Sequence, residues 1–354
     1  MHENHGAPDG RTEEGEKDLS YRAEQVWSPI SETLLVWDEN FHDLLLNDRL
    51  RMTAYRKAIF EVVKPGDHVV DLGVGTGILS EWALEAGAGR VTGIEMNQEI
   101  LSHALDRLTK SGHRARFVPV NKVSFDVDLD TPADVLISEI IGNLADNENF
   151  QPILQDAIRR FLKPDGRILP KSVSSYIAPV SAIGAHQDLS AGMISSLTQT
   201  YDVGNIDRKS KSPFDLYYDC IIPERLCLDD PQIICRYDGR WTQSPTYDKQ
   251  LSYTLKKEGL FTGFKAYFVA ELSDETTLDI SGGNIAAGET SDSWKHAYLP
   301  IETPIAVRQG DILSLTFSRH YPETPASVFQ QIYRWAGTVR RHEVIVGQFA
   351  QKTG

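Results

Sequence analysis

Four acidic residues and three glycines carry the chemistry of this chain. Asp71 is followed by Gly73, Gly75 and Gly77; Glu95 lies 24 residues beyond Asp71; Glu139 and Glu148 stand nine apart in SEIIGNLADNE. Glycines let a backbone take positive φ and approach a ligand closely, and the amides opening a following helix point at that ligand. A carboxylate ending the next strand can accept both hydroxyls of a ribose. These features describe a loop for a nucleoside cofactor. The glutamate pair offers a different chemistry. Two carboxylates facing each other in a closed pocket repel, and one would take up a proton. A guanidinium between them removes that conflict, because its forked donors pair bidentately with carboxylates. Each such bond is worth roughly 1.5–3 kcal/mol. The clamp would fix the guanidinium plane and aim one terminal nitrogen at the bound cofactor. Spacing alone also admits a plainer pairing of one capping acid and one solvated loop acid.

Strands and turns must place these groups. His68–Leu72 reads as a buried parallel strand and Ile78–Ala86 as the helix after the glycine turn. Val91–Glu95 and Ala133–Ser138 read as further strands, the latter leading into Glu139. In an open α/β sheet, ligands sit beyond the carboxyl ends of the strands. Glu139 should therefore lie beside the cofactor loop, and the break at Gly142 and Asn143 lets the chain bring Glu148 back opposite it. The dinucleotide fingerprint GxGxxG requires a glycine where Ile78 stands. DxGxGxG with a strand-end acid instead resembles motif I of class I S-adenosylmethionine methyltransferases.

Taken with the glutamate loop, the chain resembles the protein arginine methyltransferases. SEIIGNLADNE matches that family's double-E loop with both glutamates in register, and HDLLLNDRLRMTAYR (His42–Arg56) matches the helix before motif I. FLKPDGRILP (Phe161–Pro170) matches the segment leaving the cofactor domain, and SDSWKHAYLP (Ser291–Pro300) aligns with the family's Thr-His-Trp loop. The resemblance covers roughly residues 30–320. It implies that Glu139 and Glu148 hold the acceptor and that Arg51 pairs with the carboxylate of S-adenosyl-L-methionine. It further implies that His42 lies against the cofactor from a lid helix, that Asp71, Gly73, Gly75 and Gly77 support its methionine portion, and that Glu95 holds its ribose. Trp294 would wall the acceptor pocket. Read without the family, Arg51 is a surface ion pair, His42 a packing histidine and Trp294 barrel core.

Three positions depart from the family pattern. The histidine of the Thr-His-Trp loop is Ser293, so Asp48 would face a hydroxyl, and Asp48 and Ser293 together become candidates for the proton path. Ser31–Trp37 reads SETLLVW, without the paired aromatics of the N-terminal helix. The adenine-side glutamate aligns with Ser124, leaving Val123 as the cofactor-side residue there. The altered lid and histidine loop favour free L-arginine or a small guanidino metabolite as acceptor, with protein arginine as the alternative and a non-catalytic cofactor-binding module as a remote one.

The 354 residues suggest an α/β domain followed by an all-β domain. Residues 1–18 are expected as a disordered tail and 19–60 as mostly helical cover. A seven-stranded Rossmann-like domain is expected over 61–170, and a β-barrel over 171–354 with strands such as Gly263–Leu272 and Ile312–Phe317. By the resemblance, 186–223 corresponds to an arm that docks on a partner subunit, implying a homodimer. The net charge of −14 argues against a nucleic-acid partner. No apolar run is long enough for a membrane helix. Cys220, Cys227 and Cys235 are odd in number with no clustered histidine, so neither a disulfide framework nor a metal is expected. A reducing cytoplasm fits.

Overall fold

The computed structural model describes residues 22–29, 45–195, 212–323 and 331–353. His42, Ser31–Trp37 and part of the expected arm lie outside these residues. A parallel sheet runs in the order β4-β3-β2-β5-β6. Its strands are β2 (His68–Leu72), β3 (Arg90–Glu95), β4 (Phe117–Asn121), β5 (Ala133–Ser138) and β6 (Leu162–Leu169). Val69, Val70, Val91, Val135 and Leu136 are fully buried, as strands covered by helices on both faces require. The covering helices include α1 (Arg49–Val62), α2 (Ile78–Glu85), α3 (Gln98–Lys110) and α4 (Phe150–Phe161).

Five strands stand where seven were expected. After β6 the chain leaves this layer, and its next strand, β7 (Ser172–Val180), pairs antiparallel with β9 (Gln232–Asp238) and β11 (Gly259–Glu271) instead. The expected continuous helix over His42–Arg56 is also interrupted. Asp48 is the N-cap of α1, in extended conformation, and its side chain accepts from the Arg51 amide. A capping carboxylate satisfies one of the orphan donors of a helix start and so favours a break there. The cover was expected to be mostly helical from residue 19, yet β1 (Val26–Trp27) pairs antiparallel with β8 (Tyr218–Cys220).

The second half is built from two antiparallel sheets. One has the order β1-β8-β13-β11-β7-β9, with β12 (Thr277–Asp279) on β11 and β13 spanning His296–Val307. The other has the order β10-β14-β15-β16, comprising Tyr247–Thr254, Ile312–His320, Ile332–Arg341 and Val344–Lys352. Alternating residues of both sheets, among them Phe264, Phe317 and Trp335, meet in one core. Each such side chain contributes roughly 1.5–3 kcal/mol by leaving water. Helix α5 (Ile183–Ser190) overlaps the start of the expected arm. No helix among the described residues is long and apolar enough to cross a membrane.

Candidate active site

The glycine turn joins β2 to α2. Gly73, Gly75 and Gly77 all have positive φ, and a Cβ on Gly77 would meet Ala104 Cβ at 2.9 Å. Only glycine takes that conformation cheaply with α3 packed so close. Asp71 is fully buried on β2, and Ser80 donates to its Oδ2 at 2.6 Å. Its Oδ1 accepts no hydrogen bond, and burial pushes the carboxyl up to about 7 against the Ser80 bond. A buried acceptor oxygen without a donor calls for a ligand donor or cation. Glu95 ends β3 and accepts from the Gly75 amide at 3.1 Å and the Asn97 amide at 2.9 Å. A carboxylate has further lone pairs to offer, so Glu95 can still receive hydroxyl donors. Val123, 45 % exposed, follows Asn121, whose Nδ2 donates to the Glu95 carbonyl at 2.9 Å. Asp71, the glycines, Glu95 and the end of β4 thus share the carboxyl edge of the sheet. These groups fit a cationic nucleoside cofactor.

Glu139 follows β5, and its carboxylate receives Arg51 Nη2. The resemblance implied a different partner for Arg51, the cofactor's carboxylate. Here its guanidinium lies against Glu139 with Cζ 5.2 Å from the centroid of the Trp294 ring. Burial lowers Arg51 to about 10, with Asp48 and Glu148 among the charges opposing it, so it remains cationic at neutral pH. Glu148 is buried at 8 % exposure. Desolvation raises its carboxyl to about 7, Arg51 pulls the other way, and Asp219 adds to the rise. Arg51 thus pairs with Glu139 directly and acts on Glu148 through its charge.

The loop between them is tied down. Gly142 and Ala145 exchange backbone hydrogen bonds, and the Leu144 amide donates to Asn147 Oδ1 at 2.9 Å. The Asn147 side chain leaves no room for a Cβ on Gly142. Asn147 Nδ2 donates to Asn143 Oδ1 at 3.0 Å, and Asn143 Nδ2 to Asp219 Oδ1 at 2.8 Å.

Asp48 faces hydroxyls, as its alignment with Ser293 implied. Its Oδ2 accepts from Ser293 Oγ at 2.6 Å, from the Ser293 amide at 3.2 Å and from Ser291 Oγ. Ser291 in turn accepts from the Trp294 amide at 2.7 Å, and Trp294 Nε1 donates to the Ile141 carbonyl at 2.7 Å. Sequence reasoning missed Ser291, although it stands two residues before Ser293 in the same loop. It also missed Asp219, which no local pattern marks, because β8 is brought to the loop only by the tertiary fold.

Comparison with known proteins supports the same assignment. Residues 69–166 match the family model described as a methyltransferase domain, and residues 172–336 match one described as the PRMT5 oligomerisation domain. An arginine N(omega)-methyltransferase of Streptomyces achromogenes subsp. streptozoticus is 27 % identical over 286 residues, 78 % of this chain and 74 % of that protein. Protein arginine N-methyltransferase 6 of Xenopus laevis is 25 % identical over 288 residues, 77 % of this chain and 81 % of that one. The solved Trypanosoma brucei PRMT1 enzyme–prozyme heterotetrameric complex with AdoHcy superposes with a TM-score of 0.74 at 17 % identity, covering 89 % of this chain and 98 % of that chain, and so shares the fold. The two matched domains and these relatives support a member of the protein arginine methyltransferase family: the chain is an enzyme of the arginine N-methylating class, and S-adenosyl-L-methionine is its methyl donor.

Proposed function

We propose that the acceptor is the guanidino group of free L-arginine or of a small guanidino metabolite, held between Glu139 and Glu148. One observation carries this reading. A guanidinium, that of Arg51, already lies in the buried space against Glu139, over the Trp294 face and within the field of Glu148. A pocket that receives one guanidinium from its own chain is chemically suited to another. The name of the Streptomyces relative, which speaks of arginine alone, agrees with a small acceptor. The Xenopus relative is named for protein arginine, which is the alternative acceptor.

S-adenosyl-L-methionine supplies an electrophilic methyl group when bound. Asp71 and the glycine loop are suited to its cationic methionine end, Glu95 to its ribose, and Arg51 to its carboxylate. Val123 would border the adenine, and His42, outside the described residues, would cover it. Glu139 and Glu148 would orient the acceptor nitrogen, a contribution made by position and charge placement. Guanidinium does not lose its proton unaided at neutral pH, so proton loss accompanies or follows transfer. Glu148, held near 7, is suited to receive it. Asp48 and Ser293 bond to each other and to Ser291, which supports a role in holding Trp294 over one in the proton path.

A free amino acid brings its own ammonium and carboxylate into a small closed site, at low ordering cost. With labelled donor, free L-arginine should therefore show a higher kcat/KM than arginine in an unstructured peptide, compared by mass spectrometry under identical conditions. A peptide preference above tenfold would move the enzyme to the protein-modifying members. The oligomerisation-domain match over 172–336 and the arm around 186–223 also support a homodimer. Light scattering should give twice the chain mass; a monomer at working concentration would count against it.

A further inference from the structure

The loop that carries Glu148 is fastened to the second domain by a buried charge centre. Asp146, fully buried two residues before Glu148, meets Arg319 of β14, whose Nε lies 3.4 Å from its Oδ2 and whose side chain is also fully buried. Three phenols complete the carboxylate's shell. Tyr333 Oη donates to Oδ1 at 2.8 Å, Tyr247 Oη to Oδ2 at 3.1 Å, and Tyr237 Oη to the same oxygen. Arg319 also donates through Nη2 to the Asp146 carbonyl at 3.1 Å and to Asn149 Oδ1 at 3.2 Å. The centre thus grips the loop on both sides of Glu148. Burial, and after it the Asp146 charge, holds the three phenols well above their usual range. They stay protonated donors at any working pH.

A buried ion pair is weak evidence for stability, because desolvation consumes most of its attraction. Packed apolar side chains would close the same interface at no such cost, so the centre needs another explanation. The backbone it grips supplies one. Ala145 and Asn149 both have positive φ, at 72° and 61°. Non-glycine residues persist in that region only where the surroundings over-determine them. These two positions bracket the segment that carries Glu148, and the Asp146 centre lies between them.

We propose that Asp146 and Arg319 are positioning residues for methyl transfer: their buried pair, ringed by Tyr237, Tyr247 and Tyr333, fixes the strained loop so that Glu148 stands opposite Glu139. The proposal rests on the reading of Glu148 as half of the guanidinium clamp. Its effect on the reaction passes through Glu148 alone, and that distinguishes it from general support of the fold.

A double-mutant cycle on the full chain tests this. Asp146→Asn and, as the milder change, Tyr333→Phe are each made alone and with Glu148→Gln. Methylation of L-arginine is measured as kcat and KM, with calorimetric affinity for the methyl donor alongside. Misplacing a reacting group by about 1 Å can cost on the order of 100-fold. Asp146→Asn should lower kcat roughly tenfold or more and Tyr333→Phe several-fold, with donor affinity within about twofold. Added to Glu148→Gln, neither should lower kcat much further, since coupled residues are non-additive. Should Asp146→Asn fail to fold, the Tyr333→Phe cycle decides. Losses that simply add in the cycle, or unchanged kcat in the singles while Glu148→Gln is slow, would overturn the positioning role alone. Normal turnover by Glu148→Gln would overturn the clamp reading and this proposal with it.

Discussion

The two halves of the site are built on different plans. The donor half comes almost entirely from one contiguous unit, running from β2 through the glycine turn and α2 to the end of β3. Its contacts are short in sequence: Ser80 to Asp71, and the amides of Gly75 and Asn97 to Glu95. The acceptor half gathers Asp48, Glu139, Glu148, Asp219, Ser291 and Trp294 from across the chain, with Arg319 holding it from behind. A local unit keeps its geometry wherever its strand and helix form. A dispersed one depends on the second domain, which supplies Asp219, Ser291 and Trp294. Arg51 lines a cavity with Gly73 and Gly75 but pairs with Glu139, on the acceptor side.

The contrast predicts that changes should separate cleanly into donor binding and turnover. The largest effect is expected for Glu139→Gln. Loss of a charge-assisted contact worth about 3 kcal/mol should slow turnover on the order of 100-fold. Affinity for S-adenosyl-L-methionine, read by calorimetry, should hardly move. A comparable loss of donor affinity would erase the distinction between the halves.

Glu95→Ala should do the converse, weakening donor binding by about tenfold or more while leaving saturated turnover near normal. Titration gives an effect of similar size at one pH unit. Glu148 has its carboxyl raised from 4.5 to about 7, and only the ionised form holds a guanidinium. With acceptor subsaturating, kcat/KM should therefore fall about tenfold per unit as pH drops below 7. A flat profile down to pH 6 would remove Glu148 from acceptor binding. The same shift acts on stability in the opposite direction. A carboxyl raised by folding binds more protons folded than unfolded between 4.5 and about 7, so its contribution becomes less favourable as pH rises through that window. The smallest effect is expected at Ser291. Ser291→Ala removes the hydroxyl that donates to Asp48 and accepts from the Trp294 amide, bonds with a net worth of about 1 kcal/mol each. A rise of roughly fivefold in acceptor KM with unchanged donor affinity should result. Loss of donor binding instead would place the serine loop on the wrong side of the comparison.

How much could be read from the sequence follows the same division. The strands His68–Leu72 and Ala133–Ser138 have the bounds that their apolar runs suggest, because buried parallel strands leave a continuous signal. The positive φ of Gly73, Gly75 and Gly77 was legible from residue type alone. The pairing of Asp48 with Ser293 followed from aligning two distant segments with a family, and no local pattern would have suggested it. Asp219 and Asp146 left no trace, since a buried carboxylate and a solvated one look alike until the tertiary partners arrive. The count of seven strands over 61–170 was too high, since that segment holds five. Ser172–Val180 pairs with β9 and β11, in the all-β domain expected from residue 171.

In the proposed site, Glu148 receives the acceptor's guanidinium while the donor half works independently. Single-turnover transfer from labelled S-adenosyl-L-methionine to free L-arginine tests this most directly, with wild-type enzyme and Glu148→Gln each loaded with donor beforehand. Donor occupancy should be equal, and methylarginine formation should slow on the order of 100-fold in the variant. Equal rates of transfer at equal occupancy would contradict it.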